Sequence, residues 1–250
     1  MNDNRRGFLK KATFAALAVS GINQMVSGAF AAGRGKKIKL HPNDIVVFQG
    51  DSITDANRDR KQLTANIGVA LGSGYSLMAG SALLNNHPEL SLQIFNRGVG
   101  GDKVYQLIDR WENDTINLKP DVLSILIGVN DHWSVVKHHY TGTIETYRDD
   151  YKKLLERTKS VLPDVKILIG EPFGVKGVKA VDDSWYPKFD EFRTVARELA
   201  QQYDAGFIPY QSVFDQAQKA APGAYWTLDG VHPTAAGAQL MAQAWLAAVK

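Results

Sequence analysis

The run DVLSILIGVND, beginning at Asp121, restricts the fold more than any other stretch of the chain. It stays apolar up to Gly128, so a strand made from it has two buried faces. Residues 45–48, 92–95 and 165–170 are similar apolar runs, and a shorter one, GFIPY, begins at Gly206. Between them lie segments with helical spacing, at 147–161 and 185–203, and in the Gly-bounded LGSGYSLMAGSALLNN. A last amphipathic helix follows Thr234, which suits an N-cap. Strands that alternate with helices and are buried on both sides predict an α/β fold. The expected architecture is three-layer α/β/α, flavodoxin-like and doubly wound, on a five-stranded parallel sheet. Ligands in such folds sit at the carboxyl ends of the strands. That places Ser52, Gly101, Asn130 and the stretch before the last helix where chemistry is expected.

The N-terminal segment follows different rules. It starts with Arg5 and Arg6, then Phe8-Leu9-Lys10, and runs through a mildly apolar stretch to Ala29-Phe30-Ala31. Adjacent arginines, an apolar run and a small–x–small site predict a twin-arginine-type export signal over 1–31. Ser20, Gly21, Asn23 and Gln24 interrupt the run, so it makes a poor membrane span. Residues 32–43, rich in Gly and Lys, read as a mobile leader, and 44–250 as the folded domain. The expected location is the periplasm or the exterior, with no membrane insertion after cleavage. The signal carries four bases (Arg5, Arg6, Lys10, Lys11) and one acid (Asp3), which accounts for the whole formal net charge of +3. The remainder is neutral, so nothing suggests a nucleic-acid partner. The chain has no cysteine, which excludes disulfides, thiolate metal sites and a lipidated cysteine anchor.

Four polar blocks stand at strand ends or before the last helix. FQGDSITD places Asp51 and Ser52 directly after the first strand. NRGVGGD follows the second, with Gly98, Gly100 and Gly101 able to turn bare N–H groups towards a ligand. Its spacing is not that of a dinucleotide fingerprint. GVND follows the third strand and offers the Asn130 amide. LDGVHPTAAG precedes the last helix and sets Asp229 three residues before His232. That spacing lets a carboxylate fix one imidazole nitrogen and leaves the other free to take a proton. A serine hydroxyl needs such a base to become a nucleophile. The N–H of Ser52, a glycine N–H and the Asn130 amide would together supply an oxyanion hole. Each block alone has an ordinary reading: Asp229 as a turn cap, His232 as a surface histidine, the glycines and Asn130 as turn formers.

Taken in chain order, the blocks resemble the GDSL or SGNH hydrolase family, named for its Ser, Gly, Asn and His motifs. No G-x-S-x-G elbow is present, which separates the chain from α/β-hydrolases. GDSITDANR, NRGVGGDKVYQLIDRW, LSILIGVNDHW and DGVHPTAAG further resemble bacterial acetylxylan-esterase-type carbohydrate deacetylases. The resemblance implies Ser52 as nucleophile, His232 as general base and acid, and Asp229 as its orienting carboxylate. It also implies Gly101 and Asn130, with the Ser52 N–H, as oxyanion donors. The implied enzyme removes small acyl groups, acetyl foremost, from an oligosaccharide or small-molecule ester. It requires no cofactor and no metal. A lipid-directed esterase or lysophospholipase, and a catalytically silent carbohydrate-binding module on the same fold, are the alternatives.

Three further groups carry weaker signals. Asp51 reads as a turn-tightening residue near substrate. His132, His138, His139 and Glu145 could be taken as a metal cluster, but no zinc-protease spacing is present and a solvated loop is the simpler expectation. Trp111, Trp133, Tyr140, Trp185 and Trp226 are candidate aromatic walls for a sugar, Trp133 foremost because it lies three residues past Asn130. Leu228, directly before Asp229, has no assignable role from sequence, and oligomeric state is not indicated.

Overall fold

The computed structural model describes residues 26, 28, 36–137 and 140–250. Its strands are β1 (Ile45–Gly50), β2 (Gln93–Asn96), β3 (Val122–Leu126), β4 (Lys166–Gly170) and β5 (Gly206–Ile208). All pair in parallel, in the order β2-β1-β3-β4-β5. The helices, in chain order, are α1 (Ser52–Asp55), α2 (Gly68–Leu71), α3 (Tyr75–Asn86), α4 (Val104–Asp114), α5 (Val129–Lys137) and α6 (Ile144–Val161). They continue with α7 (Lys188–Gln202), α8 (Tyr210–Ala217), α9 (Gly223–Trp226) and α10 (Ala235–Ala247). The expected three-layer parallel fold is therefore the observed one.

Neighbouring residues of β1 show how the layers form. Phe48 is fully buried against Tyr75 of α3 and Trp245 of α10. Gln49 points to the other face, where its Nε2 donates to Thr115 Oγ1 and the Asp114 carbonyl at the end of α4. Successive strand side chains alternate between faces, so α3 and α10 cover one side of the sheet and α4 the other. The two bonds made by Gln49 Nε2 help β1 run two residues beyond the apolar stretch, because the buried N–H donors find acceptors there.

Strand order reverses at β1 and β3, which makes their carboxyl ends the switch point of the sheet. Ser52 directly follows β1, and Asn130 is the second residue of α5, just past β3. Thr234 caps α10 as expected, its Oγ1 accepting from Gly237 N at 3.2 Å.

Some boundaries differ from the sequence reading, each for a local reason. The helix expected over 185–203 starts only at Lys188, because Pro187 keeps Tyr186 out of the helical region. The glycine-bounded helix starts only at Tyr75, because Gly72, at φ +85°, ends the separate turn α2 at Leu71 and breaks the helical path. The leader expected to be mobile is anchored over residues 38–40. Ile38 and Leu40 are buried, and their N–H groups donate to Ala248 and Lys250 carbonyls at 2.8 and 3.0 Å. Of the expected export signal only Val26 and Gly28 lie within the described residues; both are helical, and Val26 is buried. No described helix is long and apolar enough to cross a membrane.

Candidate active site

Ser52 opens α1, a single turn held at its start by Asp51, whose Oδ1 accepts from Ile53 N at 3.0 Å. From the other end of the chain comes a tight loop between α9 and α10. Asp229 Oδ1 accepts from the Val231 and His232 N–H groups at 2.9 and 2.8 Å, which closes the turn. Leu228 N donates to the His232 carbonyl, and Ala180 N and Val175 N donate to the Asp229 and Gly230 carbonyls. The loop is thus pinned to the segment after β4 before any ligand is bound.

The geometry that follows is a relay. His232 Nδ1 lies 2.7 Å from Asp229 Oδ2, and His232 Nε2 lies 2.9 Å from Ser52 Oγ. With Nδ1–H donating to the carboxylate, Nε2 is left as an acceptor facing the serine hydroxyl. Partial burial pushes the Asp229 carboxyl upward. Bonds from the His232 amide and ring and from the Val231 amide outweigh this and hold it below the usual carboxylate range. It is therefore charged at neutral pH.

The glycine loop packs directly beside Ser52. A Cβ on Gly98 would fall 2.4 Å from Asp55 N, so only glycine lets the loop after β2 approach α1. Gly101 adopts φ +88°, a conformation that favours glycine. The N–H groups of Ser52 and Gly101 donate to no acceptor among the described residues. Asn130 Nδ2 donates to the Asp102 carbonyl at 3.1 Å, using one of its two hydrogens and tying α5 to the Gly101 loop. Ser52, Asp229 and His232 are thus brought together directly, and Gly101 and Asn130 are joined to each other through Asp102.

Sequence reasoning missed several residues that hold this arrangement. Asn96, 1% exposed, donates to the Thr54 and Leu71 carbonyls and to Ser76 Oγ, and accepts from Gly98 N. It joins α1, α2, α3 and the glycine loop. Asp55 accepts from Gly100 N at 2.9 Å and from the Arg60 guanidinium. The signal for Asp55 was present in GDSITD, because it stands three residues after Ser52 and so on the same side of one helical turn.

Two expected contacts with substrate are corrected. Asp51 is 1% exposed and serves as the cap of α1, so it is out of reach of a ligand. Trp133 packs against Trp185, with ring centroids 5.7 Å apart, and is absent from the walls of the cavity at Ser52. Trp111, Trp185 and Trp226 are likewise core residues, each 5% exposed or less. His132 does not belong to a solvated loop. It lies on α5 among Trp185, Phe189 and Phe192, and burial pushes its imidazole down to about 4, so it is neutral. His138 and His139 lie outside the described residues. Among the described residues no group of three or more histidine and acidic side chains is arranged to hold a metal.

Asp51 carries a testable consequence. Burial, with the Asp131 and Asp102 charges, drives its carboxyl up to about 7. An unfolded aspartate titrates near ~3.9. The native state therefore holds a proton that the unfolded chain has lost, and stability from it is full below ~3.9 and lost as pH rises towards 7. Asp131, also raised to about 7 by burial, acts in the same direction. The unfolding free energy from urea titrations is expected to fall between about pH 4 and pH 7, by up to about 1.4 kcal/mol per pH unit from Asp51, and the midpoint falls with it. Asp51→Asn, which keeps the acceptor for Ile53 N, should flatten this dependence. A variant whose midpoints follow the wild-type curve at each pH would show that Asp51 is not the group responsible.

A parallel α/β sheet with a serine–histidine–aspartate relay at its switch point defines the class of serine ester hydrolases. The comparisons with known proteins agree. Residues 48–240 match the model of the GDSL-like lipase/acylhydrolase family, and the chain belongs to that family. Acetylxylan esterase from Geobacillus stearothermophilus is 33% identical over 211 residues, covering 84% of this chain and 95% of that one. The crystal structure of that esterase superposes with a TM-score of 0.77 at 30% identity, over 84% of this chain and 96% of that one. A crystal structure from Parabacteroides merdae, described as a GDSL-like lipase, gives 0.83 at 49% identity, over 85% and 98%. The chain is a carboxylic ester hydrolase, and the silent binding module considered from sequence is set aside.

Proposed function

We propose that this protein is an exported esterase that removes small acyl groups, acetyl foremost, from carbohydrates. The observation that carries the reading is the continuous chain from Ser52 Oγ through His232 to Asp229, with contacts of 2.9 and 2.7 Å, at the edge of an open cavity. The similarity to an acetylxylan esterase supports acetylated sugar as the substrate. Catalytic mutants of that esterase replace a serine, an aspartate and a histidine, the last two three positions apart as in this chain.

Each residue then has one role. His232 Nε2 takes the hydroxyl proton as Ser52 Oγ attacks the ester carbonyl carbon. The carbonyl oxygen becomes an oxyanion, met by the Ser52 and Gly101 N–H groups and the second hydrogen of Asn130 Nδ2. Asp229 holds the ring orientation and stabilises the imidazolium. The tetrahedral intermediate collapses, and His232 passes its proton to the departing sugar oxygen. Water repeats the sequence on the acyl-serine, returning the serine hydroxyl and releasing acetate. Every step is a proton transfer or acyl transfer among these side chains.

The test is acetate release from a panel of acetylated xylan, mannan and sialic acid fragments, set beside phospholipids and long-chain esters. Preferential release from the sugars supports the proposal, and preference for long acyl chains would replace it with the lipid-directed reading. Export is tested by fusing residues 1–31 to a folded reporter, which should reach the exterior only while Arg5 and Arg6 are intact.

Asn130→Ala separates transition-state binding from substrate binding. Because the amide meets charge that develops only in the transition state, kcat should fall about 10²- to 10³-fold with KM little changed. Loss of its bond to Asp102 loosens the Gly101 loop and acts in the same direction. Steady-state kinetics decide the matter, and a change confined to KM would reassign Asn130 to positioning substrate.

A further inference from the structure

We infer that Arg60 donates a hydrogen bond to a free hydroxyl beside the ester in the sugar, making the enzyme selective for esters with hydroxylated neighbouring carbons. The inference rests on the carbohydrate reading above and concerns the alcohol side of the substrate. The cavity at Ser52 measures 640 Å³. An acetyl group occupies a small part of such a space, and sites of roughly 300–1,000 Å³ hold ligands of one or a few rings. The remaining room is therefore for the alcohol.

The walls describe that alcohol. Leu228, 59% exposed, lines the cavity together with Ile53, Ala56 and Ala238. Polar walls come from Asp55, Arg60, Ser73 and Thr234. A sugar ring has the same division, with apolar C–H faces and a hydroxylated edge. Apart from His232, Asp55 and Arg60 are the only carboxylate and cation among the described wall residues, and they form an ion pair, so their charges cancel. A neutral ligand fits this balance better than an ionised one.

Arg60 is the group oriented to read the edge. Its Nε donates to Asp55 Oδ2 at 3.2 Å and its Nη2 to the same oxygen, which fixes the plane of the guanidinium. Asp55 is itself held by Gly100 N at 2.9 Å. Nη1 has no acceptor among the described residues, and the Arg60 side chain is 51% exposed. A cation fixed at one edge, with open donors beside the nucleophile, loses little freedom when it bonds a hydroxyl. This gives a role to the segment after GDSITD and to Leu228, neither of which the proton relay uses.

The experiment crosses substrate with protein. One substrate is an acetylated methyl pentoside with free hydroxyls on both neighbouring carbons, the other its analogue lacking those two hydroxyls. Wild-type kcat/KM should favour the first by about tenfold, the worth of one hydrogen bond at a partly exposed site. Arg60→Met should bring the ratio close to one, and Arg60→Lys should restore part of it. A ratio unchanged in Arg60→Met overturns the inference. So does an equal fall on both esters, which would mean that Arg60 acts through Asp55 on the Gly100 loop. A wild-type enzyme that cleaves para-nitrophenyl acetate but neither pentoside overturns the carbohydrate reading as well. That result differs visibly from the first two, in which both sugar esters are still cleaved.

Discussion

Ser52→Ala is expected to lower kcat for ester hydrolysis by about 10⁵- to 10⁶-fold, with the protein fully folded. The substitution removes one oxygen from a half-buried position. Among the described residues Ser52 Oγ makes a single hydrogen bond, to His232 Nε2, so the fold loses no other polar contact. The open N–H groups of Ser52 and Gly101 remain, and they sustain only the residual rate that binding and oxyanion stabilisation supply. A serine-reactive phosphonate should label the wild type stoichiometrically and leave the variant unlabelled. Circular dichroism and the urea midpoint serve as controls for folding. A folded variant retaining more than about one per cent of wild-type turnover would remove Ser52 from the mechanism.

Asp229→Asn should cost about 10⁴-fold in kcat. The reasoning depends on which atom changes. Asparagine keeps an oxygen that can accept from the Val231 and His232 N–H groups, so the loop closes as before. The group facing His232 Nδ1 becomes an N–H donor instead of a carboxylate oxygen. Nδ1 must then act as acceptor, the ring proton moves to Nε2, and Ser52 has no base. The negative charge that steadies the imidazolium is lost as well. Asp229→Ala removes the loop bonds too, and should add a loss of stability that the asparagine variant does not show. Turnover by Asp229→Asn within tenfold of wild type would mean that another group orients His232. Asp51 is not available for that task, because it is buried as the cap of α1 with its Oδ1 on Ile53 N.

Asp229 and His232 were legible in the sequence because their contact is local. Three residues separate them, and one turn of backbone is enough to join carboxylate and ring. Continuous apolar runs ending in glycine or a small polar residue likewise announced a parallel sheet with its chemistry at the strand ends. A strand buried on both faces cannot alternate, and that pattern needs no knowledge of partners. The GDS, GGD, GVND and DGVH blocks marked Ser52, Gly101, Asn130 and His232 for the same reason: each follows a strand or precedes a helix within its own segment.

The contacts that span long distances in sequence were decided by tertiary structure alone. Ser52 and His232 meet across 180 positions, and only the winding of the sheet brings them within 2.9 Å. Asn96 opens the NRGVGGD block without a role that the block's spacing reveals, yet it joins α1, α2 and the glycine loop, because burial obliges an amide to find partners wherever the fold supplies them. Trp133 stood near Asn130 in sequence, but its large ring is drawn against Trp185 in the aromatic cluster, a neighbour 52 positions away that no local spacing reveals. Asp51 was placed beside the nucleophile and went inward to cap its helix. Ile38 and Leu40 lay in a Gly- and Lys-rich stretch without any apolar period, and were ordered by bonds to the far terminus at Ala248 and Lys250. Local pattern determines which elements form and what they end in. Which face a side chain finally occupies depends on neighbours that the chain meets only after it has folded.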